Sequence, residues 1–180
     1  MPADTDIRGK VTIKSGTIVH PRAKMDASLG PITVGENCII EENVQLVSGP
    51  SGMIIGDGNM FRVGCRVSAP MIGNCNVFEA RSKVFRSVCV SNFCVIGAAC
   101  TIGANTDELE SLTERAVIWG SASSMRVWGG DGAGQQLAMH AKQQQYLREQ
   151  LPKHHKLRVL SLIHIYAADD MQCVDIGGRR

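Results

Sequence analysis

The chain has 180 residues, 19 basic and 17 acidic side chains, and a formal net charge of +2. This length allows one domain with a substantial apolar core, and so small a net charge implies neither a nucleic-acid nor a membrane partner. Aromatic residues make up 4% of the chain and glycine occurs 19 times, a mixture that favours short strands and tight corners over a helical bundle.

The N-terminal residues, MPADTDIRGK, lack the apolar core of a secretory signal. No apolar run approaches the roughly 20 residues that span a bilayer. The seven cysteines include no CxxC pair and do not resemble a disulfide framework. We therefore expect a cytosolic protein with reduced thiols.

An apolar residue recurs every six positions along most of the chain. The series is unbroken from Ile72 to Ile102, and glycine directly follows several of its members. Insertions, one deletion and the polar stretch ANTDELES shift its phase elsewhere. The anchors of this repeat are Ile7, Ile13, Val19, Met25, Val34, Ile40, Leu46, Ile55, Phe61, Val67, Ile72, Phe78, Val84, Val90, Ile96, Ile102, Leu112 and Ile118.

This period is typical of the hexapeptide β-helix, in which every six residues form one short strand and one corner. Three hexads close a triangular coil, and the anchors of successive coils stack inside it. We expect an all-β solenoid of about six coils within residues 1–128. Known hexapeptide solenoids are left-handed, an exception to the usual crossover rule, so the handedness is taken from the class. Corners with positive φ are expected near the hexad ends at Asn37, Asn59, Asn76 and Asn92.

A glycine-rich linker, residues 129–134, follows the repeat, and residues 135–159 are predicted to form a C-terminal helix and its end. We expect this helix to end at Pro152 and to fold back along one face of the β-helix, because a lone helix of this length is marginal in water. Its predicted contact stripe is nearly apolar and consists of Leu137, Ala141, Gln144, Leu147 and Leu151.

The segment from Leu160 to Arg180 fits neither pattern. Its opening, LSLIHI, resembles the translation of a transposase-type sequencing adapter, and CVDIGGRR resembles another adapter read in frame. We therefore predict that residues 160–180 are an assembly artefact and exclude His164 and Cys173 from any candidate site.

Enzymes with hexapeptide β-helices are acyltransferases or metal-dependent, carbonic-anhydrase-like proteins, so the histidines are the first test. The repeat contains one histidine, His20, whereas a catalytic zinc site needs about three protein ligands. A role as a lone general base is formally open to His20, but no sequence feature marks a partner that would orient it. We interpret His20 as a surface or capping histidine, and His154 and His155 as solvated.

Other candidate groups also have a structural explanation. Cys75 and Cys89 are possible exposed thiols, but nothing beside them suggests activation. Glu41 and Glu42 are interpreted as solvated or interface residues, and the glycines match neither common phosphate-binding motif. The sequence therefore predicts no catalytic, cofactor-binding or metal-binding residue. The cysteines four positions after an anchor are predicted to be small core residues, namely Cys38, Cys65, Cys94 and Cys100.

Several segments resemble the dynactin subunit 6 family in order and spacing, from about Ile7 to Arg158. They include IRGKVTIKSGTIVHPRAKM, GPITVGENCIIEENVQL, VCVSNFCVIGAACTIGANT and LPKHHKLR. Members of that family usually begin about one coil earlier, and their own tail is replaced here by the adapter-like segment.

The resemblance implies a non-catalytic scaffold subunit of the dynactin pointed-end complex. Such a subunit would pair with the related β-helix subunit 5 and join subunit 4 and the actin-related cap, while dynein and membrane cargo would be engaged indirectly. The implied location is the microtubule cytoskeleton, with kinetochores and centrosomes. The alternative is a carbonic-anhydrase-like or acyltransferase homotrimer with an atypical site.

Overall fold

The structure is a computed structural model that describes residues 4–104 and 108–154. Residues 160–180, which are predicted to be an assembly artefact, lie outside these described residues. The strands, in chain order, are β1 (Asp6–Ile13), β2 (Ile18–Val19), β3 (Lys24–Val34), β4 (Ile39–Ile40), β5 (Gln45–Val47), β6 (Met53–Ile55), β7 (Met60–Phe61), β8 (Arg66–Val67), β9 (Met71–Ile72), β10 (Val77–Phe78), β11 (Lys83–Val84), β12 (Val88–Cys89), β13 (Val95–Ile96), β14 (Thr101–Ile102), β15 (Glu110–Ser111), β16 (Ala116–Trp119) and β17 (Ser124–Val127), and the helix is α1 (Ala133–His154).

The strands stack into a three-sided parallel β-helix, and each side is about six strands deep. Face A consists of the first halves of β1 and β3 with β5, β8, β11 and β14. Face B consists of the second halves of β1 and β3 with β6, β9, β12 and β15. Face C consists of β2, β4, β7, β10, β13 and β16, and β17 closes it by pairing antiparallel with β16.

The anchors that the six-residue period predicts pair with one another in register. On face C they form one buried row of Val19, Ile40, Phe61, Phe78, Ile96 and Ile118. The rings of Phe61 and Phe78 are stacked, with centroids 4.7 Å apart. Because parallel strands are about 4.8 Å apart, each anchor packs directly on that of the next coil. The predicted parallel β-helix is confirmed.

Glycine follows several anchors because the stacking of the coils leaves no room for a side chain. At the corner between face B and face C, Asn74 Oδ1 accepts a hydrogen bond from Asp57 N, and Asn92 Oδ1 accepts one from Asn74 N, both at 2.8 Å. A Cβ atom added at Gly56 would overlap the Asn74 oxygen, and one added at Gly73 would overlap the Asn92 oxygen. These glycines therefore leave room for the hydrogen bonds between asparagine side chains and backbone amides at this corner.

A positive φ angle occurs at one of the four asparagines where it was expected. Asn37 has a φ of 54°, but the prediction was wrong for Asn59, Asn76 and Asn92. Asn59 and Asn76 instead use buried side-chain oxygens to accept backbone hydrogen bonds from the next coil, as Cys94 N donates to Asn76 Oδ1 at 2.7 Å. The left-handed conformation recurs three positions after an anchor, at Arg22, Asn43, Cys75, Arg81, Phe93, Ala99 and Arg115.

The helix α1 folds back along face C, as predicted, but its ends differ from the expectation. It begins at Ala133 rather than Gln135, and it continues through Pro152 to His154. The prediction that it ends at Pro152 was wrong, because the helix continues for two residues beyond this proline, whose φ is compatible with a helix although it lacks an amide donor. No helix in residues 4–104 or 108–154 has the length and apolar character needed to cross a membrane.

Candidate functional site

The helix α1 is held on the β-helix mainly by polar side chains. Gln144 is only 8% exposed, and its Nε2 donates to Gly16 O at 2.9 Å and to Asn37 Oδ1 at 3.3 Å. His140 Nε2 lies 2.7 Å from Asn37 O, and Arg148 donates to Gly16 O at 3.2 Å. The helix therefore docks on backbone carbonyls at the corner between face B and face C.

The predicted contact stripe of α1 was wrong in its first half. Leu137 and Ala141 are exposed, and Gln136 makes the contact instead by donating to Cys75 O at 3.2 Å. The groups that receive these hydrogen bonds are backbone carbonyls, whose positions do not appear in a hydrophobic pattern. Burying such carbonyls without a donor would cost free energy, so the amide side chains stabilise the docked helix.

A cavity of about 330 Å³ lies between the first half of α1 and face C. Its lining includes Met60, Val77 and Val95 from the row of face C that points away from the core. It also includes Arg62 and Glu79, whose Nε and Oε2 atoms are 3.3 Å apart. Since these two charges already neutralise each other, the described residues that line the cavity leave no unpaired carboxylate, lysine or arginine for an ionic ligand.

His20 is buried and has a carboxylate partner, so its interpretation as a surface or capping histidine was wrong. It is 7% exposed, and its Nδ1 lies 3.1 Å from Glu42 Oε1. Burial raises the pKa of Glu42, but the hydrogen bond from His20 lowers it, and the net pKa lies below its ordinary value. The Nε2 atom of His20 is buried and has no hydrogen-bond partner within residues 4–104 and 108–154. A general base needs a free nitrogen that reaches its substrate, and this nitrogen is shielded.

Glu41 and Glu42 do not form a catalytic pair, and neither is simply solvated. Glu41 accepts a hydrogen bond from Val63 N at 3.0 Å, and its other oxygen lies 3.4 Å from Gln143 Nε2. Sequence reasoning missed the partner of His20, although a signal existed. When the hexads are aligned by their anchors, the residue after Val19 falls beside the residue after Ile40, and Glu42 is the next residue along.

The four cysteines predicted to be small core residues are fully buried, which confirms that prediction. Burial raises the pKa of Cys38 to about 11 and also raises that of Cys65 and Cys94. These thiols therefore resist ionisation and metal binding near neutral pH.

The remaining candidates do not assemble into a site. Cys75 is partly buried beside α1, and burial together with the charge of Asp57 raises its pKa. Cys89 is partly exposed on face B. His154 lies in the last turn of α1, and His155 lies outside the described residues. Within the described ranges, no group of three His, Cys, Asp or Glu side chains could hold a metal ion.

The two faces that α1 leaves open differ in charge. On face A the register places Lys24, Arg66 and Lys83 in one exposed row, and none of them forms an ion pair with a described residue. On face B the corresponding row carries no charge. It consists of Thr12, Thr33, Ile54, Met71 and Cys89.

Comparison with known proteins identifies the family. No family model matches the chain. Dynactin subunit 6 of Danio rerio is 36% identical over 168 residues, which cover 86% of this chain and 82% of that protein. The chain belongs to the dynactin subunit 6 family. The family member from Nematostella vectensis agrees, with 34% identity over 86% of each chain.

Two further matches extend the comparison. Dynactin subunit 6 of Dictyostelium discoideum is 43% identical over 102 residues, which cover 55% of this chain and 54% of that protein. Among solved structures, a hexapeptide transferase family protein from Anaplasma phagocytophilum has a TM-score of 0.63 at 12% identity, covering 82% of this chain and 90% of its own. That likeness shows the fold alone. This chain thus shares its β-helix fold with that protein.

Proposed function

We propose that the chain is a non-catalytic scaffold subunit of dynactin that acts in the pointed-end complex. The observation that carries this proposal is membership of the dynactin subunit 6 family across 86% of the chain. The geometry supports it, because a β-helix with flat faces presents a rigid surface on which partners are held in register. The shielded Nε2 atom of His20 supports a non-catalytic role.

The proposed partners belong to the same complex. The chain pairs side by side with the related β-helix subunit 5 and joins subunit 4 and the actin-related pointed-end cap. In this position it supports cargo engagement by dynein and dynactin and microtubule-based transport, while dynein and membrane cargo are engaged through other subunits. The corresponding location is the cytosolic microtubule cytoskeleton, including kinetochores and centrosomes.

One observation favours a second candidate function. The His20–Glu42 pair has the arrangement of a general base with an orienting carboxylate, and the fold is that of hexapeptide-repeat transferases. A carbonic-anhydrase-like or acyltransferase homotrimer is therefore the alternative. It requires the buried Nε2 atom of His20 to become accessible, which is why we favour the scaffold.

The experiment that separates the two functions measures mass and metal content. The purified chain is analysed alone and with purified dynactin subunit 5 by size-exclusion chromatography with light scattering, and zinc is quantified in each peak. The scaffold proposal predicts a monomer that forms a stable one-to-one complex with subunit 5 and lacks stoichiometric zinc. A homotrimer that contains stoichiometric zinc and does not bind subunit 5 would contradict it.

A further inference from the structure

Face B carries an exposed row of uncharged side chains in the middle of the β-helix. The register aligns Thr33 with Ile54 and Ile54 with Met71. The parallel bridge between Ile72 and Val90 then aligns Met71 with Cys89. Ile54 is 58% exposed and Met71 is 56% exposed. Because adjacent coils are about 4.8 Å apart, these side chains form a continuous strip. In the described part of this face, charge occurs only toward the two ends, at Lys10 and Lys14 in the first coil and at Glu110 in β15.

Face B is also kept flat beside this strip. The positions directly after its anchors include Gly35, Gly56 and Gly73, where no side chain rises above the backbone. The corner oxygens of the next coil exclude a Cβ atom at these positions, so the flatness follows from the stacking itself. Flat β-sheet surfaces pack face to face at about 10 Å, with the side chains of the two sheets interdigitating.

The other two faces are less suited to close contact with a partner. The helix α1 covers much of face C, where Ile18, Ile39 and Met60 point away from the core and are nevertheless buried. Face A presents the exposed side chains of Lys24 and Arg66, which form no ion pair with a described residue, and Lys83 lies on the coil directly after that of Arg66. Removing unpaired charges from water is costly, and the cores of interfaces are depleted in lysine. Face B is therefore the face that a partner can desolvate at the lowest cost.

We propose that face B is the surface on which the β-helix of dynactin subunit 5 docks; the inference rests on the pairing in the proposed function. A second β-helix fits this surface because its flat faces have the same coil spacing, so its side-chain rows can interleave with the row of Ile54 and Met71. These two side chains form the centre of the contact. The charged ends of face B, near Lys10 and Glu110, form its polar rim.

A pair of opposite charges tests the proposal while preserving the fold. The double variant Ile54→Lys, Met71→Glu places a lysine and a glutamate on adjacent coils, where they can pair across the strands when face B is exposed. The matched control, Gln45→Lys with Arg66→Glu, makes the same pair on face A at adjacent positions of the same two coils. Circular dichroism and thermal melting verify that both variants fold.

Affinity for purified dynactin subunit 5 is then measured by titration calorimetry. We expect the face A variant to bind like the unmodified chain and the face B variant to bind at least about 30-fold more weakly, as for the loss of an interface hot spot. A folded face B variant with unchanged affinity would overturn the face B assignment but leave the pairing intact. Absence of binding by the unmodified chain would overturn the pairing itself, and the assignment with it.

Thiol footprinting provides a second readout that needs no variant. Cys89 lies on face B, and Cys75 lies beside α1 next to face C. Alkylation of the unmodified chain is followed at each cysteine by peptide mass spectrometry, with and without subunit 5. We expect subunit 5 to slow the labelling of Cys89 several-fold and to leave Cys75 unchanged. Equal labelling of Cys89 in the free and bound chain would overturn the proposal.

Discussion

Nδ1 of His20 lies 3.1 Å from Oε1 of Glu42, although the two residues are 22 positions apart. They meet because the second coil stacks on the first, so that Val19 pairs with Ile40. Glu42 remains partly accessible, with 35% of its side chain exposed, whereas His20 is buried. The pair therefore ties two coils together at the corner between face C and face A.

Replacing Glu42 with glutamine should change how stability depends on pH. The folded-state pKa of Glu42 lies below the ordinary value of 4.5, so its contribution is present above that value and is lost as the pH falls through the folded-state pKa. We expect Glu42→Gln to lower the free energy of unfolding by under about 1 kcal/mol at pH 7, since exposure to water weakens the pair. The difference should shrink below about pH 4.5.

Urea denaturation between pH 3 and pH 7 measures this difference. Glu149→Gln is the control, because Glu149 is an exposed glutamate of α1. Its effect on the free energy of unfolding should stay within about 0.5 kcal/mol at every pH. A difference between Glu42→Gln and the unmodified chain that does not vary with pH would show that the carboxylate of Glu42 is not stabilised by His20.

Replacing Gly56 with alanine should destabilise the corner between face B and face C. The added Cβ would overlap the Asn74 oxygen that accepts the hydrogen bond from Asp57 N. We expect the free energy of unfolding to fall by about 2 kcal/mol, as for other overpacked sites. Gly49 is the matched control, since a Cβ there meets no atom within 4 Å. An equal loss of stability in Gly49→Ala would refute the steric explanation.

The stacked phenylalanines should contribute strongly to the core. Phe61 is fully buried and stacks on Phe78, so Phe61→Ala should lower the free energy of unfolding by about 3–5 kcal/mol. Phe85→Ala removes an equal volume from an exposed position and should cost under about 1 kcal/mol. Chemical denaturation of both variants makes the comparison, and similar losses would mean that the row of face C anchors does not dominate stability.

The polar docking of α1 should be visible as local opening. Gln144→Leu removes the donor for Gly16 O and Asn37 Oδ1, so we expect amide hydrogen exchange in α1 to accelerate by about 10-fold. Exchange in the strands should not change. Gln145→Leu alters the exposed neighbour and should leave exchange at its original rate. Unchanged exchange in Gln144→Leu would show that apolar contacts alone hold the helix.

The six-residue period was sufficient to predict the core. An anchor such as Phe61 is recognised in the sequence because apolar residues recur six positions before and after it. Three hexads make one coil, so the anchors that stack on Phe61 lie about three hexads away, and the anchor row of face C follows from the sequence. The burial of the four hexad cysteines follows from the same period.

Other features depended on information that the period does not carry. The contact of His20 with Glu42 requires the coils to be placed side by side, including the exact length of the second coil. The docking of Gln136 and Gln144 requires the positions of backbone carbonyls, which no side-chain pattern reveals. The sequence predicted that a helix would fold back and placed Gln144 on its contact stripe, but it did not predict that hydrogen bonds from glutamine side chains would hold the helix.

The scaffold assignment is tested most directly by purifying the chain, tagged and expressed from its own gene, and quantifying the proteins that co-purify by mass spectrometry. The assignment predicts recovery of dynactin subunits in near-stoichiometric amounts, including subunits 4 and 5 and the actin-related protein of the pointed end. Recovery of a homo-oligomer of this chain without any dynactin subunit would contradict it.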